Sequence, residues 1–168
     1  MGYTTDFQGE FSIRPSLKEA HRLYLVKFSE TRRMKRDSEK TIHRKDPIRE
    51  AVGLPVGVEG EYFVGETGFA GQDRGVDIID YNNPSKTQSG LWCQWVPSEC
   101  GRVLKWNEAE KFYYYVEWLE YLIKHFFIPW EYAISGQVEW EGEDHRDVGR
   151  IIVCDNQITV KKALLVWD

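Results

Sequence analysis

Glycine and proline break up the middle of this chain so often that long helices and strands are excluded there. Three prolines and eight glycines stand between residues 37 and 90. Proline lacks an amide donor and glycine favours turns, so both interrupt regular elements. Short strands are predicted only at 61–64 and 76–79. A loop of this length inside a compact domain is unusual, and the sequence predicts an insertion that is either functional or mobile.

The segment before the insertion is typical of one strand followed by one helix. Apolar and polar residues alternate over 7–14, which indicates a half-buried strand. Ser16 and Glu19 have the spacing of a capping box, in which each side chain satisfies a backbone donor of the other. We therefore expect a helix to begin there and to run into the basic stretch 32–36.

After the insertion the periodicity predicts a hairpin and then the longest helix. Strands are expected at 91–96 and 102–106, joined by a turn-rich linker of hairpin length. Asn107 is a helix-capping residue, and apolar residues at helical spacing follow it as far as Ile128. Pro129 ends this pattern, so the sequence predicts a helix from Asn107 to Ile128.

Three further strands are predicted near the C-terminus. Alternating residues indicate strands at 134–140, 148–154 and 158–160. Asp155 and Asn156 stand between the last two strands, where a tight turn is expected.

The order of these elements predicts an α+β fold. We expect an antiparallel sheet with two helices packed on it, in the ferredoxin-like βαββαβ order. A long insertion, 37–90, follows the first helix, and a hairpin extends the C-terminus. The length of 168 residues favours a single α+β domain, 1–168.

Basic residues are concentrated in one stretch, although the chain has a net charge of −5. Eight lysines and arginines stand between Arg32 and Arg49 against three acidic residues, a local net charge of +5. Such a segment can bind phosphates or an acidic partner, and Arg32, Arg33, Lys35 and Arg36 are the candidate ligand-binding cations. The alternative is a solvated helix end and linker.

Aromatic residues beside the basic stretch are candidates for stacking. Tyr62 lies in the glycine-rich tract 57–75, which lacks the G-K-[ST] signature of a phosphate-binding loop. Trp92 and Trp95 are three apart, so they lie on opposite faces of the predicted strand, and one of them is free to stack on a ring or base.

The predicted helix carries a second aromatic stripe. Tyr114, Trp118, Tyr121 and His125 share one side of it. A homodimer through Tyr114, Trp118 and Tyr121 would cover this stripe, because Trp and Tyr are frequent at interfaces. The alternative is that the insertion packs over it.

Catalytic chemistry has candidates but no motif. The acidic turn 141–147 lacks the spacing of a calcium loop, so we favour a polar turn and expect no metal and no cofactor. Carboxylates with a histidine as proton carrier could nevertheless serve nucleotide or phosphoester chemistry. These candidates are Asp77, Asp80, Glu143 and Asp144, with His43 or His145.

Cysteine usage and hydropathy favour a cytoplasmic protein. The three cysteines contain no CxxC pair, which indicates neither a disulfide framework nor a zinc site. No apolar stretch approaches the length of a membrane span, and the first residues do not resemble a secretory signal. We expect no membrane partner.

Four runs of the sequence together resemble a family of short uncharacterised proteins found in bacteria and their phages. They are MGYTTDFQGEF, LWCQWVP, EKFYYYVEWLEYLIKHFFIPW and GQVEWEGEDHRDVGRIIVCDN. The resemblance implies a small accessory protein and supplies no catalytic residues.

The sequence thus favours a binding protein over an enzyme. The expected ligand is a nucleic acid, a nucleotide or an acidic protein, bound by the basic segment and the glycine-rich tract. An enzyme of nucleotide or phosphoester chemistry and a self-associating assembly subunit are the alternatives.

Overall fold

Two units make up the chain in the structure, a computed structural model that describes residues 2–66, 75–164 and 166. The first, here the sheet unit, comprises Met1–Leu17 and Gln94–Asp168. The second, here the inserted unit, comprises Lys18–Cys93. The predicted insertion 37–90 lies within the inserted unit, which begins earlier in the chain.

Antiparallel strands build the sheet unit, which confirms the α+β prediction. Its sheet has six strands in the order β4-β5-β1-β6-β7-β8. The strands are β1 (Thr5–Arg14), β4 (Trp95–Pro97), β5 (Val103–Trp106), β6 (Ala133–Gly142), β7 (Val148–Cys154) and β8 (Gln157–Lys162).

Strand pairing does not confirm the ferredoxin-like order. A split βαβ unit sets strands parallel, because they are joined by a crossover. Strand β1 instead pairs antiparallel with both β5 and β6. The first predicted helix belongs to the inserted unit, so one helix of the sheet unit, α4 (Tyr115–Leu122), packs on this sheet.

Aromatic rings form the core between the sheet and α4. Phe7 meets Tyr115 edge to face at 4.9 Å between ring centres, and Tyr115 lies 5.7 Å from Trp140. Trp95 packs against Phe7 at 5.6 Å and donates its indole N–H to the Tyr115 carbonyl at 2.8 Å. The alternation predicted for β1 therefore places Phe7 and Phe11 in this core.

The helix predicted over 107–128 begins only at Tyr115 in the structure, because the backbone before that residue is not helical. Glu108, Lys111 and Tyr114 have positive φ angles, which a right-handed helix excludes. Asn107 accepts a hydrogen bond from the Ala109 amide instead of capping the helix. After α4 the chain continues as a π-helical turn, Ile123–Phe127.

The inserted unit contains short elements. They are α1 (Glu19–Ser29), β2 (Met34–Arg36), α2 (Ser38–Thr41), α3 (Pro47–Ala51), a 3-10 turn (Val58–Gly60) and β3 (Ile78–Pro84). Strands β2 and β3 pair antiparallel with irregular register.

Three predictions for this part of the chain are wrong. The helix α1 ends at Ser29, and part of the basic stretch forms β2 instead. The residue at the N-cap is Lys18 rather than Ser16, and its side chain makes no capping hydrogen bond, so the capping box does not form. Residues 61–64 form no strand, because side chains of Arg33 and Asp46 and local turn bonds satisfy their backbone groups. The strand predicted at 76–79 overlaps the start of β3.

None of the helices in the described part of the chain is long and apolar enough to cross a membrane.

Candidate functional site

Arg33 holds the first part of the glycine-rich tract in place. Its side chain is buried and donates from Nη1 to the Glu61 carbonyl at 2.9 Å and from Nη2 to the Phe63 carbonyl. The guanidinium also lies 4.3 Å from the centre of the Phe28 ring. These donors satisfy backbone acceptors that no strand partner reaches, so Arg33 organises the interior of the inserted unit.

Arg36 is buried beside a carboxylate. Its side chain is 2% exposed, and Nη1 lies 2.7 Å from Oδ2 of Asp77, which also accepts from the Thr41 hydroxyl at 3.0 Å. Burial alone would raise the pKa of Asp77. The charge and hydrogen bond of Arg36, with help from Thr41 and Arg44, outweigh burial and lower that pKa.

Arg44 brings a second cation to the same carboxylate. Its Nη1 lies 3.4 Å from Oδ1 of Asp77, and its side chain is 35% exposed. The Phe63 ring contacts both arginines, because its centre lies 4.3 Å from the Arg36 guanidinium and 4.9 Å from that of Arg44. Two guanidinium groups therefore share one carboxylate and one aromatic ring in this cluster.

Asp46 supports the tract from another side. Its carboxylate accepts from the amides of Val64 and Gly65 and pairs with Nε of Arg49 at 2.6 Å. Burial is the largest influence and raises the pKa of Asp46, because one arginine and two amides do not offset the lost hydration.

Arg32 and Lys35 lie nearer the surface. The Arg32 guanidinium lies 4.3 Å from the centre of the Tyr81 ring, and its Nε donates to the Tyr81 carbonyl at 3.0 Å. No carboxylate within the described residues pairs with Arg32. Lys35 is 38% exposed and pairs with Glu59 at 3.0 Å, so it is already neutralised.

A shallow cleft in the inserted unit has a volume of about 440 Å³ and is lined by Gly75, Ile78, Ile79, Tyr81 and Asn82. We call it the β3 cleft. The Arg32 guanidinium reaches this lining through its contact with the Tyr81 ring. A side-chain carbon placed on Gly75 would be 3.5 Å from Nη1 of Arg44 and 2.6 Å from Oδ1 of Asp77.

The basic stretch and the glycine-rich tract therefore do meet in the inserted unit. A side-chain carbon on Gly60 would lie 2.7 Å from Cβ of Arg36, and Gly75 lies against Arg44. Residues 67–74 of the tract, which include Phe69, lie outside the described residues.

The predicted stacking residues lie in different environments. Trp95 is 1% exposed inside the core of the sheet unit, so it presents no face to a ligand there. Trp92 is half-buried and precedes β4, and therefore the two tryptophans do not share a strand. Tyr62 is half-buried, and its carbonyl accepts from the Tyr24 hydroxyl at 2.8 Å.

The aromatic stripe of α4 is mostly internal. Trp118 and Tyr121 are buried, and His125 stacks on Tyr121 with 4.0 Å between ring centres. Tyr114 is exposed. A homodimer through this stripe stays a prediction, for which Tyr114 offers the accessible ring.

The groups considered for catalysis are divided between the units. His43, Asp77 and Asp80 belong to the inserted unit, and Asp80 accepts from the Asn82 amide at 2.9 Å in a local turn. In the sheet unit Glu143 accepts from the Thr4 amide, Asp144 pairs with Arg146 and His145 faces Glu141 at 3.6 Å. Within the described ranges, no three histidine, cysteine or acidic side chains are grouped to hold a metal ion.

Sequence reasoning missed Tyr81 and did not single out Arg44 from the basic run. Tyr81 reaches Arg32 only because β3 pairs with β2 in an irregular register, which no local pattern reveals. No family model, no curated protein and no solved structure matches this chain.

Proposed function

We propose that the chain is a binding protein whose inserted unit recognises a phosphate-bearing ligand at the β3 cleft. The observation that supports this most is Arg32, a half-buried cation that lies on the ring of the cleft residue Tyr81 and pairs with no carboxylate in the described residues. A guanidinium held on an aromatic ring is pre-oriented, and it forms strong charge-assisted hydrogen bonds with phosphate oxygens.

Arg44 supplies the second contact in this proposal. Its side chain is 35% exposed, contacts Asp77 beside Arg36 and lies near Gly75 of the cleft lining. Lys35 is a weaker contributor because Glu59 neutralises it. Arg33, Arg36 and Trp95 of the predicted site act through the fold, whereas Tyr62 and Trp92 remain proposed stacking residues.

The cleft volume favours a ligand of nucleotide size over a long duplex. About 440 Å³ falls in the range of small-molecule sites. The inserted unit contains 13 basic and 12 acidic residues, so its charge is not that of a general nucleic-acid coat. An accessory role in bacteria or phages, as the sequence resemblance implies, is compatible with ligand binding without catalysis.

Binding of ATP and of a single-stranded oligonucleotide, measured by calorimetry, tests the proposal. Arg32→Gln and Arg44→Gln should each weaken binding by roughly tenfold or more, the loss expected for a charge-assisted hydrogen bond. Lys40→Gln is the matched control, because Lys40 is an exposed cation of the same unit that does not line the cleft.

The proposal fails if neither probe binds, or if Arg32→Gln binds as tightly as Lys40→Gln. Urea unfolding of each variant separates a lost contact from a lost fold. Preference for the oligonucleotide over ATP would shift the ligand class to nucleic acid.

A further inference from the structure

Strand β8 leaves one edge of the sheet open. It is the last strand of the sheet, and it pairs only with β7 among the described residues. The Ala163 amide donates to the Val148 carbonyl at 2.8 Å just beyond the strand end. By the alternation of antiparallel pairing, the backbone groups of Ile158, Val160 and Lys162 point away from β7.

The open edge has few of the features that normally protect such strands. Its sequence, QITVKK, contains no proline, and no bulge interrupts its pairing with β7. Val160 is 41% exposed. Lysines occupy the C-terminal end of the strand only, so the outward backbone groups of Ile158 and Val160 lie among uncharged side chains.

Positive charge surrounds this edge. A cleft of about 330 Å³ at the β7–β8 end is lined by Arg150, Lys161 and Lys162 together with one acidic residue, Glu139. Glu139 already pairs with Arg150 at 3.3 Å. Neither Lys161 nor Lys162 has a carboxylate partner in the described part of the chain.

The two faces beside the edge differ in character. Lys161 shares the open face of the sheet with Arg150, which is its partner in the β7–β8 register. Ile158, Val160 and Lys162 lie on the other face, where a second cleft of about 220 Å³ is lined by Glu120, Ile123, Asn156 and Ile158. A strand added here would meet Arg150 and Lys161 on one face, and Ile158 and Val160, followed by Lys162, on the other.

We propose that β8 accepts an extended acidic peptide of a partner protein as a seventh strand of the sheet. Alternate residues of the peptide would be acidic, to face Arg150 and Lys161, and apolar, to lie beside Ile158 and Val160. Main-chain hydrogen bonds would supply affinity, and these two faces would supply specificity.

Charge argues against a second copy as the occupant. Strand β8 contains two lysines and no acidic residue, so the β8 strand of a second copy would bring no acidic side chain to neutralise them. An acidic strand instead neutralises the lysines it meets.

Fluorescence polarisation with a labelled peptide of about eight residues, alternating valine and glutamate, tests this directly. A peptide with lysine in place of glutamate is the matched probe. Val160→Pro removes only the outward backbone amide of residue 160, a loss that an edge strand tolerates. This variant should bind the acidic peptide roughly tenfold more weakly. The double variant Lys161→Glu, Lys162→Glu should no longer bind the acidic peptide and should bind the lysine-containing peptide instead.

Lys105→Glu is the control for charge reversal, because Lys105 is exposed on β5, on the opposite side of β1. Should Val160→Pro reduce folding, N-methylation of alternate peptide amides tests the same hydrogen bonds with the protein unchanged. Absence of binding at about 1 mM, or binding insensitive to Val160→Pro and to N-methylation, would overturn the proposal. A dimer of the unmodified chain that Val160→Pro disrupts would also overturn it, in favour of self-pairing.

Discussion

The Asp77 carboxylate lies 2.7 Å from Nη1 of Arg36, and both side chains are buried in the inserted unit. This pair connects β2 with the residues just before β3. Because Arg44 and Thr41 contact the same carboxylate, one acidic group organises three separate segments.

Asp77→Asn should destabilise the inserted unit by about 3 kcal/mol, because it leaves the buried Arg36 without its counter-charge. Hydrogen exchange of the backbone amides in urea will measure the effect on this unit. Asp80→Asn is the control, since Asp80 is a more accessible carboxylate of β3, and its substitution should destabilise the unit much less. Equal effects of the two variants would contradict the role given to the pair.

The inserted unit should lose stability in acid through Asp77. The folded-state pKa of Asp77 is lowered from its ordinary value of 3.8. Its stabilising contribution is therefore full above the unfolded-state pKa and disappears as the pH falls through the folded-state pKa. Asp46 acts in the opposite direction, because its pKa is raised. Hydrogen exchange between about pH 2 and 5 should show that the stability of the inserted unit falls less steeply with decreasing pH in Asp77→Asn than in the unmodified chain.

Gly60→Ala should destabilise the fold more than Gly53→Ala. Both glycines have φ of +72°, so each alanine incurs the same left-handed strain of about 1 kcal/mol. A side-chain carbon at Gly60 would also lie 2.7 Å from Cβ of Arg36, whereas nothing lies within 4 Å at Gly53. We expect a total near 3 kcal/mol for Gly60→Ala by urea unfolding, since forced overpacking adds to the strain. Equal losses of stability in the two variants would show that the Arg36 side chain moves aside without cost and would contradict this prediction.

Tyr115 should remain protonated in strongly alkaline solution. Burial raises its pKa to about 12, with nearby Asp147 and Glu117 adding to the effect. The unfolded chain ionises near pH 10, so stability falls as the pH rises between these two values. Ultraviolet titration will detect the delayed ionisation. In Tyr115→Phe the sheet unit should lose less stability as the pH rises. An unchanged loss of stability at alkaline pH would contradict the raised pKa of Tyr115.

Local patterns predicted the sheet unit well where side chains alternate strictly. Strand β7 has the predicted bounds, Val148–Cys154, and the turn at Asp155 and Asn156 has the positive φ angles of a tight hairpin. The start of α4 was wrong because three positive φ angles before it are set by their surroundings and leave no mark in the apolar spacing.

The candidate site was predicted only in part for a related reason. Charge density pointed to the basic stretch, but it does not distinguish Arg36, which is buried against Asp77, from Arg32, whose guanidinium lies on the Tyr81 ring. That difference depends on which residues of β3 oppose β2 and on distant carboxylates. Neither is a property of the local sequence.

The division of the chain into units has a consequence for the order in which it folds during synthesis. All residues of the inserted unit are consecutive, so Lys18–Cys93 can complete its internal contacts while the ribosome is still translating the later strands of the sheet unit. Strand β1, by contrast, leaves the ribosome before the inserted unit but must wait for both of its neighbouring strands, since its full pairing extends to Gly142. Until then the amides and carbonyls of its two edges remain open to wrong partners, and the polar residues that alternate along β1 limit that exposure.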